Sequence, residues 1–108
     1  MYSKKDLNII KDMILKEISP FQIVLFGSYA RNEANINSDL DVMILTEKKI
    51  SRRNKLDIIF RLQKAFLKKK FSVDILMKSV EDYTYFKDYI GSVNYEIAKE
   101  GKVLWTKN

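Results

Sequence analysis

Asp39 and Asp41 lie two residues apart in the run DLDVMIL, which reads as a strand over Asp39 to Leu45. Side chains alternate faces along a strand, so both carboxylates project to one side while Leu40, Val42 and Ile44 take the other. About 7 Å apart, they repel by roughly 2 kcal/mol at an effective dielectric near 20, and loss of water raises that cost. A bound cation removes the penalty. Asp74 stands alone among apolar residues in a later run, FSVDILM, and can join the first two if the strands are neighbours. Three oxygen ligands without imidazole or thiolate select a hard ion, and Mg²⁺ takes one or two carboxylates together with waters and substrate phosphates.

Gly27 and Ser28 directly follow the apolar run QIVLF, where the chain turns toward a short polar segment with helical potential. Glycine lets a phosphate approach the backbone, serine adds a hydroxyl donor, and free N–H groups at the start of a helix receive the negative charge. A phosphate cradle and metal-binding carboxylates at the ends of adjacent strands are what phosphoryl or nucleotidyl transfer requires. Each motif alone is weak, since Gly-Ser pairs are common turns. Their combination in this order is much more specific.

Composition narrows the chemistry further. The 108 residues contain no histidine and no cysteine. Imidazole bases, zinc sites, thiolate ligands and disulfides are thereby excluded, and the chain fits a reducing compartment such as the cytoplasm. The N-terminal stretch lacks the continuous apolar region of a signal peptide, and no stretch approaches the roughly 20 apolar residues of a membrane span. Hydrophobic residues at 46% supply a modest core, and a formal charge of +6 favours polyanionic partners without choosing among them.

The elements that must position these residues are legible as periodicities. Ser3 with Asp6 forms a capping-box signal ahead of Leu7, Ile10, Met13 and Ile14, which predicts an amphipathic helix over about residues 4 to 17. Pro20 ends it, and Gln22 to Phe26 is a buried strand. From Glu47 to Lys70 a long amphipathic helix is expected to carry Ile50, Leu56, Ile59, Phe60, Phe66 and Leu67 on one stripe, with basic residues around the rest. Phe71 to Met77 is the third strand, Ser79 with Asp82 restarts helix, Gly91 separates two helical pieces, Gly101 suits a helix C-cap, and Val103 to Trp105 is a last strand. The expected class is α/β (α+β), a small mixed sheet flanked by helices within a single domain over residues 1–108.

The segment FGSYARNEANINSDLDVMIL is similar to the Gly-Ser, ten-residue gap, Asp-x-Asp signature of the DNA polymerase beta-like nucleotidyltransferase superfamily, with Asp74 in the place of its third carboxylate. The likeness spans nearly the whole chain, including the ending YEIAKEGKVLW, and resembles above all the minimal nucleotidyltransferases found as antitoxins beside HEPN toxins. It implies a nucleotidyltransferase fold, two Mg²⁺ ions on Asp39 and Asp41, Asp74 completing one site and helping to activate the acceptor hydroxyl, and Gly27 and Ser28 holding the triphosphate. It further implies ATP as donor, transfer of AMP, and a tyrosine of a HEPN-type toxin as acceptor. Many relatives have glycine after the Ala-Arg of this motif where this chain has Asn32, a residue that tolerates positive φ.

A second reading is a binding module that neutralises its toxin by covering it, without catalysis. A third, transfer to a small molecule such as an aminoglycoside, belongs to relatives with a further helical domain. Arg31 reads as the partner of a nearby carboxylate rather than of phosphate. The basic residues from Lys48 to Lys70 read as a solvated helix face rather than a nucleic-acid site. Aromatics from Tyr83 to Tyr95 must divide between core and a protein interface, a division the sequence leaves open.

Overall fold

The computed structural model describes residues 1–108. Its elements are α1 (Lys4–Glu17), β1 (Gln22–Phe26), α2 (Gly27–Ala30), β2 (Leu40–Thr46), α3 (Arg52–Lys68), β3 (Val73–Ser79), α4 (Val80–Phe86), α5 (Val93–Glu100) and β4 (Lys102–Thr106). The order of helices and strands is the one the periodicities predict. The capping box at Ser3 is present in full, with Asp6 N–H donating to Ser3 Oγ at 3.1 Å and Ser3 N–H donating to Asp6 Oδ2 at 3.0 Å. Ser79 likewise caps α4, its Oγ accepting from Asp82 N–H.

The four strands form one mixed sheet in the order β3-β2-β1-β4. β1 is antiparallel to both β2 and β4, whereas β2 and β3 are parallel, joined by the crossover helix α3 that a parallel pair demands. On one face Ile23, Leu25, Leu40, Val42, Ile44, Val73 and Met77 pack against Ile10 and Ile14 of α1 and Leu62 and Phe66 of α3. The opposite residues, Val24, Met43 and Leu45, meet Ile97 of α5 with Val80 and Tyr83 of α4 alongside. This second cluster is small, so one end of that face is left for polar groups. No helix is long and apolar enough to cross a membrane.

One expectation changes. The core-facing stripe of α3 runs through Ile58, Ile59, Leu62 and Phe66, while Leu56, Phe60 and Leu67 are 53%, 59% and 69% exposed. At about 100° per residue both sets are proper helical stripes, about 125° apart around the helix, and only tertiary packing selects between them. Gly101 is the C-cap of α5, yet its φ is −64° rather than left-handed. A β-carbon there would stand 2.5 Å from the Ile97 carbonyl oxygen and 2.7 Å from Val24 Cγ1, so crowding by the last turn of α5 and by β1 explains the glycine. In the β1–β4 pairing the register shifts between Ile23 and Val24, leaving Leu104 as an extra residue. That bulge turns the consecutive side chains of Leu104 and Trp105 both toward the larger core.

Candidate active site

Register brings the acids together. Asp41 pairs with Phe26 across β1–β2 and with Asp74 across the parallel β2–β3 ladder, so the two aspartates are lateral neighbours on one sheet face. They stand beyond Met43 and Leu76 on the face covered by α4 and α5. Asp41 is half-buried and Asp74 is exposed. Burial, and then the charges of Asp74 and Asp39, push the Asp41 carboxyl above the usual carboxylate range, with Arg31 opposing.

Gly27 completes this corner. Phe26 ends β1 in extended geometry, and Gly27 adopts φ +70°, turning the chain into α2. A β-carbon built on Gly27 would lie 2.1 Å from Asp41 Oδ2 and 3.0 Å from its Cγ. The missing side chain is therefore space already used by the Asp41 carboxylate. Ser28 follows on the first turn of α2, half-buried. Asn32 adopts φ +58°, as its tolerance of the left-handed region anticipates.

Asp39 departs from the simple strand picture. β2 begins at Leu40, so Asp39 precedes the strand, exposed, and its Oδ1 accepts a short hydrogen bond from Ser72 Oγ. It remains within the electrostatic field of Asp41, but no group of three or more carboxylates is gathered closely enough to enclose an ion. The expectation that all three converge is met in register by Asp41 and Asp74, while Asp39 is turned toward Ser72.

Ser72 was not singled out by its sequence context, and neither was the group that holds it. Tyr2 Oη donates to the Ser72 carbonyl at 3.1 Å and accepts from Ser72 N–H at 2.5 Å. Tyr2 N–H in turn donates to Tyr29 Oη at 3.0 Å, and the Tyr2 ring lies against Tyr29 and Phe71 at centroid distances of 5.6 and 5.7 Å. A chain of contacts thus links the residue after Ser28 to Asp39. The only local signal was a serine two residues before Asp74; the partners are 70 residues apart in sequence. Arg31 takes the structural role expected of it, bonding Glu33 at 2.9 Å and Glu100 at 3.3 Å.

The donor set suits a hard divalent cation: carboxylate oxygens only, with like charges and partial burial that a cation offsets. Gly27 stands directly against the Asp41 carboxylate. A strand, a glycine turn and paired acids on one sheet face form an arrangement that phosphoryl-type chemistry can use.

Sequence comparison agrees with that class. The profile described as polymerase beta, nucleotidyltransferase, matches residues 8–108, and the chain belongs to this family. None of the curated proteins matches it. Among solved structures, a toxin–antitoxin complex with AMP-PNP is similar at 22% identity with a TM-score of 0.65, covering 95% of this chain and 75% of that one. A tri-AMPylated HEPN toxin in complex with MNT antitoxin, from Shewanella oneidensis, gives 19% identity and a TM-score of 0.60 over 97% and 74% of the two chains. A Sulfolobus solfataricus protein assigned as a nucleotidyltransferase gives 17% and 0.65 over 96% and 80%. These likenesses establish a shared fold.

Proposed function

We propose that the chain is a Mg²⁺-dependent nucleotidyltransferase that transfers AMP from ATP to a tyrosine of a HEPN-type toxin, acting as the antitoxin of that pair in the cytoplasm. The observation that carries this reading is the packing of the Asp41 carboxylate, beside Asp74, into the space that Gly27 leaves at the turn after β1. Family membership supports the reaction class, and the folds of an antitoxin bound to an AMPylated HEPN toxin and of a toxin–antitoxin complex with AMP-PNP support donor and acceptor.

In this mechanism Gly27 and Ser28 hold the triphosphate through backbone N–H groups and the serine hydroxyl. Asp39 and Asp41 would bind two Mg²⁺ ions, with Asp74 completing one site; the ions supply positive charge where carboxylates and phosphate oxygens crowd together. The acceptor tyrosine oxygen attacks the α-phosphorus, a P–O bond forms, and the bond to the bridging oxygen breaks. Pyrophosphate leaves with that electron pair. The tyrosine proton passes toward Asp74, which is exposed and so open to an acceptor presented by another chain.

The test is intact-mass analysis of a purified HEPN-type partner after incubation with this chain, ATP and Mg²⁺. A gain of adenylyl units on tyrosine is expected, and a co-purifying partner that stays unmodified overturns the enzymatic reading. A specific feature favours the alternative of masking by direct binding: Tyr85, Phe86 and Tyr89 are exposed and in edge-to-face or tilted contact with one another at centroid distances of 4.7 to 5.9 Å. Titration of toxin activity with wild-type and Asp39→Asn protein separates the two. Equal neutralisation at every ratio assigns the function to masking; failure of the variant at substoichiometric amounts assigns it to modification.

A further inference from the structure

At the other end of the parallel pair lies a cavity of about 350 Å³, within the lower range of small-molecule sites. Thr46 of β2 and Ser79 of β3 are among the residues that line it. None of Gly27, Ser28, Asp39, Asp41 and Asp74 lines it, and Thr46 is five residues, roughly 16 Å at about 3.3 Å per residue, from Asp41, so the cavity is distinct from the acid corner, with Leu76, two residues from Asp74, on its near side. Lys49, Lys55 and Lys78 line it against a single acid, Asp82, leaving an excess of positive charge. None of the three lysines is in an ion pair; the basic partners of the protein's ion pairs are Lys11, Arg31, Arg61 and Lys107.

Lys78 is not a freely solvated surface lysine. It is half-buried, and its Nζ donates to Asn94 Oδ1 at 2.5 Å. Asn94 is 1% exposed and is itself fixed, its Nδ2 donating to the Asp82 and Tyr83 carbonyls at 3.3 and 3.4 Å. A buried amide thus holds one ammonium at the cavity wall. Burial, reinforced by the charge of Lys55 and opposed by Asp82, lowers the Lys78 pKa below the usual lysine value. An anion relieves both costs. Ile50, Leu76 and Phe86 provide an apolar wall beside the lysines.

We propose that this cavity is a second ligand site, taking a small phosphorylated molecule whose phosphoryl group sits among Lys49, Lys55 and Lys78 and whose apolar or aromatic part lies against Ile50, Leu76 and Phe86. Three lysines around one concavity suit a phosphate's multiple acceptor oxygens, and the exposed Phe86 ring offers a stacking face. The site stands independently of nucleotidyl transfer at the acid corner.

The test is a site-resolved NMR titration of the ¹⁵N-labelled chain with AMP, without divalent metal. Amide shifts are expected at Lys49, Lys55, Lys78 and Ser79, with affinity falling about tenfold or more in Lys55→Gln and in Lys78→Gln. Lys55 lies on α3 and makes no side-chain hydrogen bond to another element, so its variant keeps the fold even if the loss of the Asn94 contact weakens Lys78→Gln. Inorganic phosphate should shift the same amides more weakly than AMP. Shifts confined to Gly27, Ser28 and Asp41, equal binding of adenosine and AMP, or unchanged affinity in the Lys55→Gln variant would each overturn the proposal.

Discussion

Replacing Gly27 by alanine attacks the acid corner through the backbone rather than through a ligand. At φ +70° a β-carbon costs about 1–2 kcal/mol by itself. The new methyl would also stand 2.1 Å from Asp41 Oδ2 and 3.3 Å from its Cβ, so the carboxylate must leave its rotamer at a further cost of about 0.5–1.5 kcal/mol. Together these predict a loss of about 1.5–3.5 kcal/mol, or roughly 6–28 °C in Tm for a chain of this size. A displacement of Asp41 by about 1 Å should lower transfer on the order of 100-fold. Thermal melting gives the first number and single-turnover transfer the second. Asp41→Ala in the same background removes the clashing carboxylate, so the double variant should lose about 1 kcal/mol less than the sum of the singles. Unchanged melting with full transfer, or strict additivity in the double variant, would refute the claim that Gly27 is glycine because of Asp41.

Asp41→Asn should abolish transfer while leaving metal-free stability at pH 7 equal or higher, because lateral repulsion between Asp41 and Asp74 is worth between about 1 and 3 kcal/mol as the effective dielectric runs from that of water to about 20. The folded-state pKa of Asp41 is raised, so the native protein binds this proton more tightly than the unfolded chain; the destabilisation is present above the raised value and absent below the ordinary one. Lowering pH through that window should therefore raise the Tm of wild type relative to Asp41→Asn, as a melting series across mildly acidic pH would record. Ser72→Ala frees Asp39, and transfer should fall several-fold and recover in Ser72→Thr, with the kcat and KM of both variants as the readout; equal activity in all three proteins removes Ser72 from the site. Tyr85→Ser with Tyr89→Ser should change Tm little, since both rings are exposed, yet weaken partner binding by calorimetry on the order of tenfold or more if they are contact anchors.

The strands and most helix boundaries were legible because their signals are local: QIVLF, DLDVMIL and FSVDILM are apolar runs of strand length, and Ser3, Ser79 and their acids announce caps. The positions of Gly27, Ser28, Asp41 and Asp74 were legible for the same reason, each set by a short motif. What failed was whatever depends on pairing between distant segments. Which α3 stripe faces the sheet is decided by where α1 docks. The carboxylate of Asp39 is placed by Ser72, and Ser72 is held by Tyr2, neither of which is visible from sequence spacing. The sequence left the aromatics undivided; the structure sets Tyr83 against the smaller core and leaves Tyr85, Phe86 and Tyr89 outside. The second cavity was not legible: Lys49 reads as part of a solvated basic face, and Lys78, which belongs to another element, lies outside that stretch.

The bulge at Leu104 bears on how the protein resists self-association. An open sheet has two outer strands whose unpaired backbone groups can recruit a strand from another molecule. β4 is one of them, but it has five residues, starts with exposed Lys102 and is followed by exposed Lys107. The extra residue bends its line of donors and acceptors, so a flat incoming strand cannot match it along its length. Repulsion between lysines of two apposed copies adds to the mismatch. The same irregularity that turns Leu104 and Trp105 into the core therefore also protects the exposed edge against amyloid-like stacking.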